Sequence, residues 1–174
     1  MRLLNRSQQR ELMTLLGPLA GKDVLEVGPG PGVLLGLLTR TARHVTGVDP
    51  SREMRTLAIR AHAVAIAAGR LDVLPGDAGA TGLPDAAVDV VVAVNNVAIW
   101  PDLDAGVAEL HRVLRPGGRL VLSWHGGEQP SRTSRGLVLP EERLQRIENA
   151  LRARFPDVRR TLTRRCTVFE ARTA

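Results

Sequence analysis

Aromatic residues are scarce in this chain. Its 174 residues include two Trp, two Phe and no Tyr. A platform that stacks single-stranded nucleic acid needs several exposed rings, so composition speaks against that class of surface. Val, Leu and Ala must fill the core instead. Cys166 is the only cysteine. One thiol forms neither an internal disulfide nor a multi-cysteine zinc site, which points to a reducing, cytoplasmic setting. No apolar run approaches 18 residues, so no membrane-spanning helix is expected. The first 30 residues lack the apolar stretch of a secretory signal. Lysine is nearly absent, with Lys22 the only one.

The length suits one domain, residues 1–174, and 44% hydrophobic with 24% charged residues is ordinary for a soluble globular fold. The net charge of +6 is unevenly placed. Residues 1–131 are balanced, and the whole excess falls in 132–174, where 11 Arg face 5 acidic residues. That nearly every basic residue is Arg has a bland explanation in a GC-rich coding bias. The functional alternative is an anionic substrate or surface near the C-terminal segment.

Short apolar runs alternate with helical patterns, which signals a parallel α/β sheet. Leu3, Leu4, Leu12, Met13, Leu15 and Leu16 predict an amphipathic helix ending at Gly17-Pro18. Strands are expected at 24–27, 44–48, 71–74, 88–94 and 119–124. Helices are expected over 33–41, from Ser51 to Gly69, from Asp102 through Leu114, and after Pro140-Glu141-Glu142. The valine-rich run 88–94 suits a central strand buried on both faces. Strands near 157–164 and 166–172 are too close in sequence to be anything but an antiparallel hairpin. The fold class is therefore α/β: a Rossmann-like, doubly wound, mostly parallel seven-stranded sheet with a C-terminal antiparallel hairpin. Ligands of such sheets bind beyond the carboxyl ends of the strands, where the strand order reverses.

The segment Glu26-Val27-Gly28-Pro29-Gly30-Pro31-Gly32 follows a strand and opens a helix. Its glycines permit a sharp turn and close approach of a ligand to the main chain, although such a turn can also be purely structural. The dinucleotide fingerprint needs a small residue at position 33, and Val33 stands there, which weighs against NAD or FAD. Asp49 ends the second strand, 21 residues after Gly28. A carboxylate at that place either caps the next helix or accepts hydrogen bonds from both hydroxyls of a ribose, and its position favours the ribose.

With these residues in view, the chain resembles the class I S-adenosylmethionine-dependent methyltransferases over nearly its full length. Four blocks carry the resemblance: residues Val24 to Gly32, Gly47-Val48-Asp49-Pro50-Ser51, Gly76-Asp77-Ala78, and Leu114-Arg115-Pro116-Gly117-Gly118-Arg119-Leu120. The stretch from Leu83-Pro84-Asp85 to Asn95-Asn96 looks like the family's lead-in to strand four. The resemblance implies S-adenosylmethionine as cofactor and S-adenosylhomocysteine as product. It implies that the turn through Gly28, Pro29, Gly30 and Gly32 passes under the methionine and ribose parts. Glu26 would lie near the methionine amino end, Asp49 and Pro50 at the ribose, and Met54 beside the adenine. Asp77 would accept from the adenine amino group while the Ala78 amide donates to a ring nitrogen. Asn95 would meet the methionine amino group.

The acceptor side is less determined. Nucleic-acid amino methyltransferases carry Asp/Asn-Pro-Pro-aromatic after strand four, and this chain has Asn95-Asn96-Val97-Ala98. A small-molecule acceptor is therefore expected, with nucleic acid disfavoured. His125 follows strand five and is the candidate general base. Trp100 either walls the pocket or packs beneath the next helix. His44, His62 and His111 fall within elements and offer no metal spacing. The segment before strand one, residues 1–20, makes only a minimal lid. The loop 126–139, with Arg132 and Arg135, is the main candidate for substrate contact. The site is then open or completed by a second copy in a homodimer. The competing functions are an RNA- or ribosome-directed methyltransferase using the Arg-rich C-terminal segment, and a cofactor-binding module without turnover.

Overall fold

A computed structural model describes residues 6–130 and 134–174. Leu3, Leu4 and Arg132 lie outside the described residues. Among the described residues seven strands form one sheet: β1 (Asp23–Val27), β2 (His44–Val48), β3 (Leu71–Leu74), β4 (Val88–Val94), β5 (Leu114–His125), β6 (Asp157–Leu162) and β7 (Cys166–Arg172). Their order is β3-β2-β1-β4-β5-β7-β6. The first five run parallel, and β7 pairs antiparallel with both β5 and β6. The chain winds outward from β1 in one direction and from β4 in the other, so the order reverses between them. That is the expected place for a ligand in an open α/β sheet.

Alternation along the strands sends successive side chains to opposite faces. Val24, Val45, Val90, Val92, Val121 and Val168 pack with Leu12, Leu16, Leu35 and Ala58. Those partners belong to α1 (Arg6–Leu16), α2 (Leu35–Leu38) and α3 (Arg52–Ala61). Leu25, Val91, Leu122, Trp124 and Phe169 face the other way, against Leu110, Ile147 and Leu151. Those come from α5 (Leu103–Val113) and α6 (Glu141–Arg152). The β4 run is buried on both faces, as its valines predict. Among the described residues no helix is long and apolar enough to cross a membrane.

Four expectations need correction. The helix expected over 33–41 is regular only at Leu35–Leu38. Thr39 turns its hydroxyl back onto the Leu35 carbonyl at 2.9 Å, a local bond that competes with helix continuation. The long helix from Ser51 to Gly69 is two, α3 and α4 (Ala63–Ala67), broken at His62 with φ −123° and ψ 23°. The break lets His62 Nε2–H donate to the Gly32 carbonyl at 2.7 Å. The ring occupies the space that a side chain at Gly32 or Gly36 would need, with ideal Cβ atoms 3.0 and 2.9 Å from it. Strand β5 starts at Leu114, not Arg119, because Arg115–Gly118 form a bulge inside it where the β4 register shifts. There Arg115 bonds Asp23 and Asp89, each at 2.9 Å, and the Ala87 carbonyl at 2.6 Å. These acids stand at the amino ends of β1 and β4, so the Arg-Pro-Gly-Gly block fastens the end of the sheet remote from the ligand side. Lastly, β6 stops at Leu162, short of the expected 164.

Candidate cofactor and acceptor site

The carboxyl ends of β1, β2, β3, β4 and β5 deliver Gly28, Asp49, Asp77, Asn95 and His125 to one edge of the sheet. The glycine turn is built by backbone constraints. Gly28 N–H donates to the Val48 carbonyl at 2.8 Å, which bends the chain back over β2. Its φ of +65° suits glycine, and a Cβ there would overlap the Asn96 side-chain amide. Asn96 in turn donates to the Val27 carbonyl at 2.6 Å and accepts from Trp100 Nε1 at 3.1 Å. Trp100 packs on Gly106 of α5, where an added Cβ would lie 2.7 Å from the ring. Of the two readings for Trp100, the structure supports packing beneath the helix.

Asp49 is 6% exposed. One carboxylate oxygen accepts from Gly30 N–H and the other from Ser51 N–H, both at 2.9 Å. Ser51 itself caps α3 by accepting from Met54 N–H at 3.2 Å. Asp49 thus ties the β1 turn to the β2 turn and points both of its oxygens into the crevice between them. Each carboxylate oxygen offers about two acceptor directions, so one per oxygen stays open to a diol.

Glu26 sits on β1 between these turns and is 3% exposed. Its Oε2 has no hydrogen-bond partner. Burial pushes its carboxyl up to about 8, with the neighbouring Asp49 charge adding to the shift. Two buried acids side by side, one with an unfilled oxygen, create a demand for N–H or O–H donors and for positive charge. Pyrophosphate, which needs donors, does not meet that demand. A ligand with a ribose diol, a sulfonium and an ammonium does. The residues present therefore fit the cofactor that the sequence resemblance implies.

At the end of β3, Asp77 Oδ1 accepts from the N–H groups of Gly79 and Ala80 at 2.8 and 3.0 Å. This fixes the turn that holds Ala78, which is buried against α5. Asn95 is one of two non-glycine residues with positive φ among the described residues, at +57°. Its side chain exchanges two hydrogen bonds with Gln8 of α1, at 2.9 and 3.0 Å. Helix α1 therefore reaches the end of β4 and roofs the site from that side. Sequence reading missed Gln8, Asn96 and His62 as parts of the site. No spacing rule joins Gln8 to Asn95 across 87 positions, whereas the positive φ at an Asn has a local precedent.

His125 ends β5 directly opposite Cys166 of β7. Period-two alternation puts it on the α1 face of the sheet, with Ser123 and Val121. It is half-buried, which lowers its pKa from the ordinary value. Its ring meets Trp124 edge-on at 5.7 Å. Trp124 donates to the Leu137 carbonyl at 2.7 Å, which ties β5 to the turn Arg135–Leu137. Of the other histidines, His44 pairs with Asp72 at 3.3 Å and His111 packs edge-on against Phe155. No group of three or more metal-ligating side chains occurs among the described residues.

Comparison with known proteins gives the same reading. A family model described as a methyltransferase domain matches residues 25–122. An uncharacterised methyltransferase of Bacillus subtilis, YdaC, is 30% identical over 68% of this chain and 65% of its own length. The ubiquinone/menaquinone biosynthesis C-methyltransferase UbiE of Rubrivivax gelatinosus is 32% identical over 68% of this chain and 45% of its own. The chain thus spans about half to two thirds of the length of these relatives. Among solved structures, a SAM-dependent methyltransferase from Aquifex aeolicus superposes with a TM-score of 0.78 at 21% identity, covering 99% of this chain and 96% of that one. That likeness concerns the fold.

Proposed function

The chain belongs to the methyltransferase domain family, and on that premise we propose that it transfers a methyl group from S-adenosylmethionine to a small-molecule acceptor. The observation that carries the cofactor is the pair of buried acids, Glu26 and Asp49, flanking a glycine turn whose backbone bends over β2. When bound, the cofactor supplies the electrophilic methyl group and the leaving thioether. Asp49 holds the ribose hydroxyls with Pro50 beside it. Glu26 accepts from the ammonium, and Gly28, Pro29, Gly30 and Gly32 form the floor. Met54, in the first turn of α3, stands beside the adenine. Asp77, through its second oxygen, and the Ala78 amide recognise the adenine edge. Asn95 closes the methionine end. Positioning of this kind is worth roughly 7–11 kcal/mol of barrier where the acceptor is held in line.

His125 is the proposed general base for a hydroxyl acceptor. Its lowered pKa keeps the imidazole neutral, hence able to take a proton, across the neutral range. A small acceptor is supported by the name of one relative, a ubiquinone/menaquinone biosynthesis C-methyltransferase. The RNA-directed alternative draws on the C-terminal Arg excess. One charge of that excess is met from outside the segment, where Arg146 pairs with Asp104 of α5. The test is a thermal shift series. S-adenosylmethionine and S-adenosylhomocysteine should raise the melting temperature, by the equivalent of about 2.7 kcal/mol at a hundred times the dissociation constant, and NAD should not. A shift with NAD alone would overturn the proposal.

A further inference from the structure

Among the described residues, three sealed side-chain oxygens lack a hydrogen-bond partner, those of Gln9, Glu26 and Ser123. Glu26 and Ser123 stand on the sheet face that α1 covers, and Gln9 comes from α1 itself. Gln9 is 5% exposed, which is unusual for a glutamine whose amide oxygen lacks a hydrogen bond. The helix geometry says which way it faces. At 3.6 residues per turn, Gln9 and Glu11 lie on opposite flanks of α1, with Gln8, Leu12 and Leu16 between them facing the sheet. Glu11 accepts from Thr163 Oγ at 3.0 Å, which fixes its flank toward the β6–β7 turn. Gln8 sits over Asn95 at the end of β4. The strand order runs β1-β4-β5-β7, so the flank bearing Gln9 faces β1, where Glu26 lies.

We propose that the Gln9 side-chain oxygen is a cofactor-binding group that completes, from the roof, the acceptor set begun by Glu26 on the floor. Two buried oxygens with unfilled lone pairs require a group with several N–H donors between them, and the cofactor's ammonium is such a group. An apolar acceptor or a carboxylate would leave both oxygens unsatisfied. This rests on the cofactor reading above. It adds that α1 contributes to binding by direct contact, so the lid and the cofactor pocket are one site.

The experiment compares wild type with Gln9→Met and Gln9→Asn, using S-adenosylhomocysteine and 5′-methylthioadenosine as probes in calorimetry. The second probe keeps the adenosine and the sulfur but lacks the amino-acid arm. Gln9→Met should weaken S-adenosylhomocysteine by about 10- to 100-fold, the range for a hydrogen bond to a charged group, and leave methylthioadenosine unchanged. Gln9→Asn, which withdraws the same oxygen by one methylene, should fall between. The ligand-free Gln9→Met protein should melt no lower than wild type, because the substitution removes an unsatisfied buried oxygen. Equal loss for both probes, unchanged affinity for S-adenosylhomocysteine, or a lower melting temperature would each overturn the proposal. Wild type that binds neither probe would overturn the cofactor reading itself, and Gln9 with it.

Discussion

Replacing Glu26 by Gln tests the electrostatics of the site in the absence of any acceptor. The carboxyl is buried on β1, between β2 and β4, and burial raises its pKa from 4.5 to about 8. At 1.36 kcal/mol per unit, that shift corresponds to roughly 5 kcal/mol of differential stability between its two protonation states. The sign follows from proton binding. Between pH 4.5 and 8 the folded chain holds a proton that the unfolded chain has lost, so this residue makes stability fall as pH rises. Its contribution is fully present below pH 4.5 and is lost as pH climbs through 8. Glu26→Gln carries a neutral side chain of the same shape in both states, so it should abolish that slope. Urea unfolding of both proteins at pH 5, 7 and 9 measures the difference. The variant should gain on wild type by an amount that grows with pH and reaches several kcal/mol at pH 9. Cofactor binding provides the converse observation. A cation against Glu26 favours the carboxylate, so binding at pH 7 should release most of one proton from wild type and none from the variant. Calorimetry in buffers of different ionisation enthalpy reads that number directly. Parallel stability profiles for the two proteins, or equal proton release, would refute the reasoning.

Other predictions are simpler. Asp49→Ala removes the ribose acceptors and the ties to Gly30 and Ser51 together, so cofactor affinity should fall by about 10- to 100-fold or more, with a measurable drop in melting temperature. Calorimetry and a thermal scan on one sample check both. His125→Ala should cut turnover of a hydroxyl acceptor by about 10²-fold while cofactor affinity stays constant; for an amine acceptor the loss should be small. The acid limb of the wild-type rate should lie below pH 6.5, because burial lowers this imidazole, and a limb above that value would contradict the assignment. Filter binding at physiological salt should show no saturable RNA complex, and tight binding abolished by neutralising Arg159, Arg160, Arg164 and Arg165 would reverse the choice of acceptor class.

Much of this architecture is legible in the chain because its signals are local. The valine run at 88–94, the Gly-Pro turn after Val27 and the short spacing of the last two strands each dictate one element without help from distant residues. Asp49 is legible for the same reason, since it ends a strand at a fixed distance from a glycine turn. The misses share a cause as well. Ala, Val and Ile surround His62, so nothing in the local pattern stops a helix there. The break comes from a carbonyl 30 positions away, at Gly32. Strand β5 reads as starting after Gly118 because Pro and Gly normally end strands. Pairing with β4, and Thr173 Oγ bonded to the Arg115 carbonyl at 2.7 Å, carry the strand through the bulge. The Gln8–Asn95 exchange lies 87 positions apart and belongs wholly to tertiary structure.

The position of β7 has a consequence for how the molecule is made. The last strand of the sheet in sequence is not at its margin; it is wedged between β5 and β6. Until residues 166–172 leave the ribosome, β5 presents an unpaired edge, and β6 has no neighbour with which to bond. The parallel half, β1 to β5, can assemble during synthesis, but its growing margin stays open to any passing strand. Completion of the sheet therefore depends on residues 166–172 arriving as an antiparallel insert, which makes β7 the point at which a nascent sheet closes on itself or pairs with another chain.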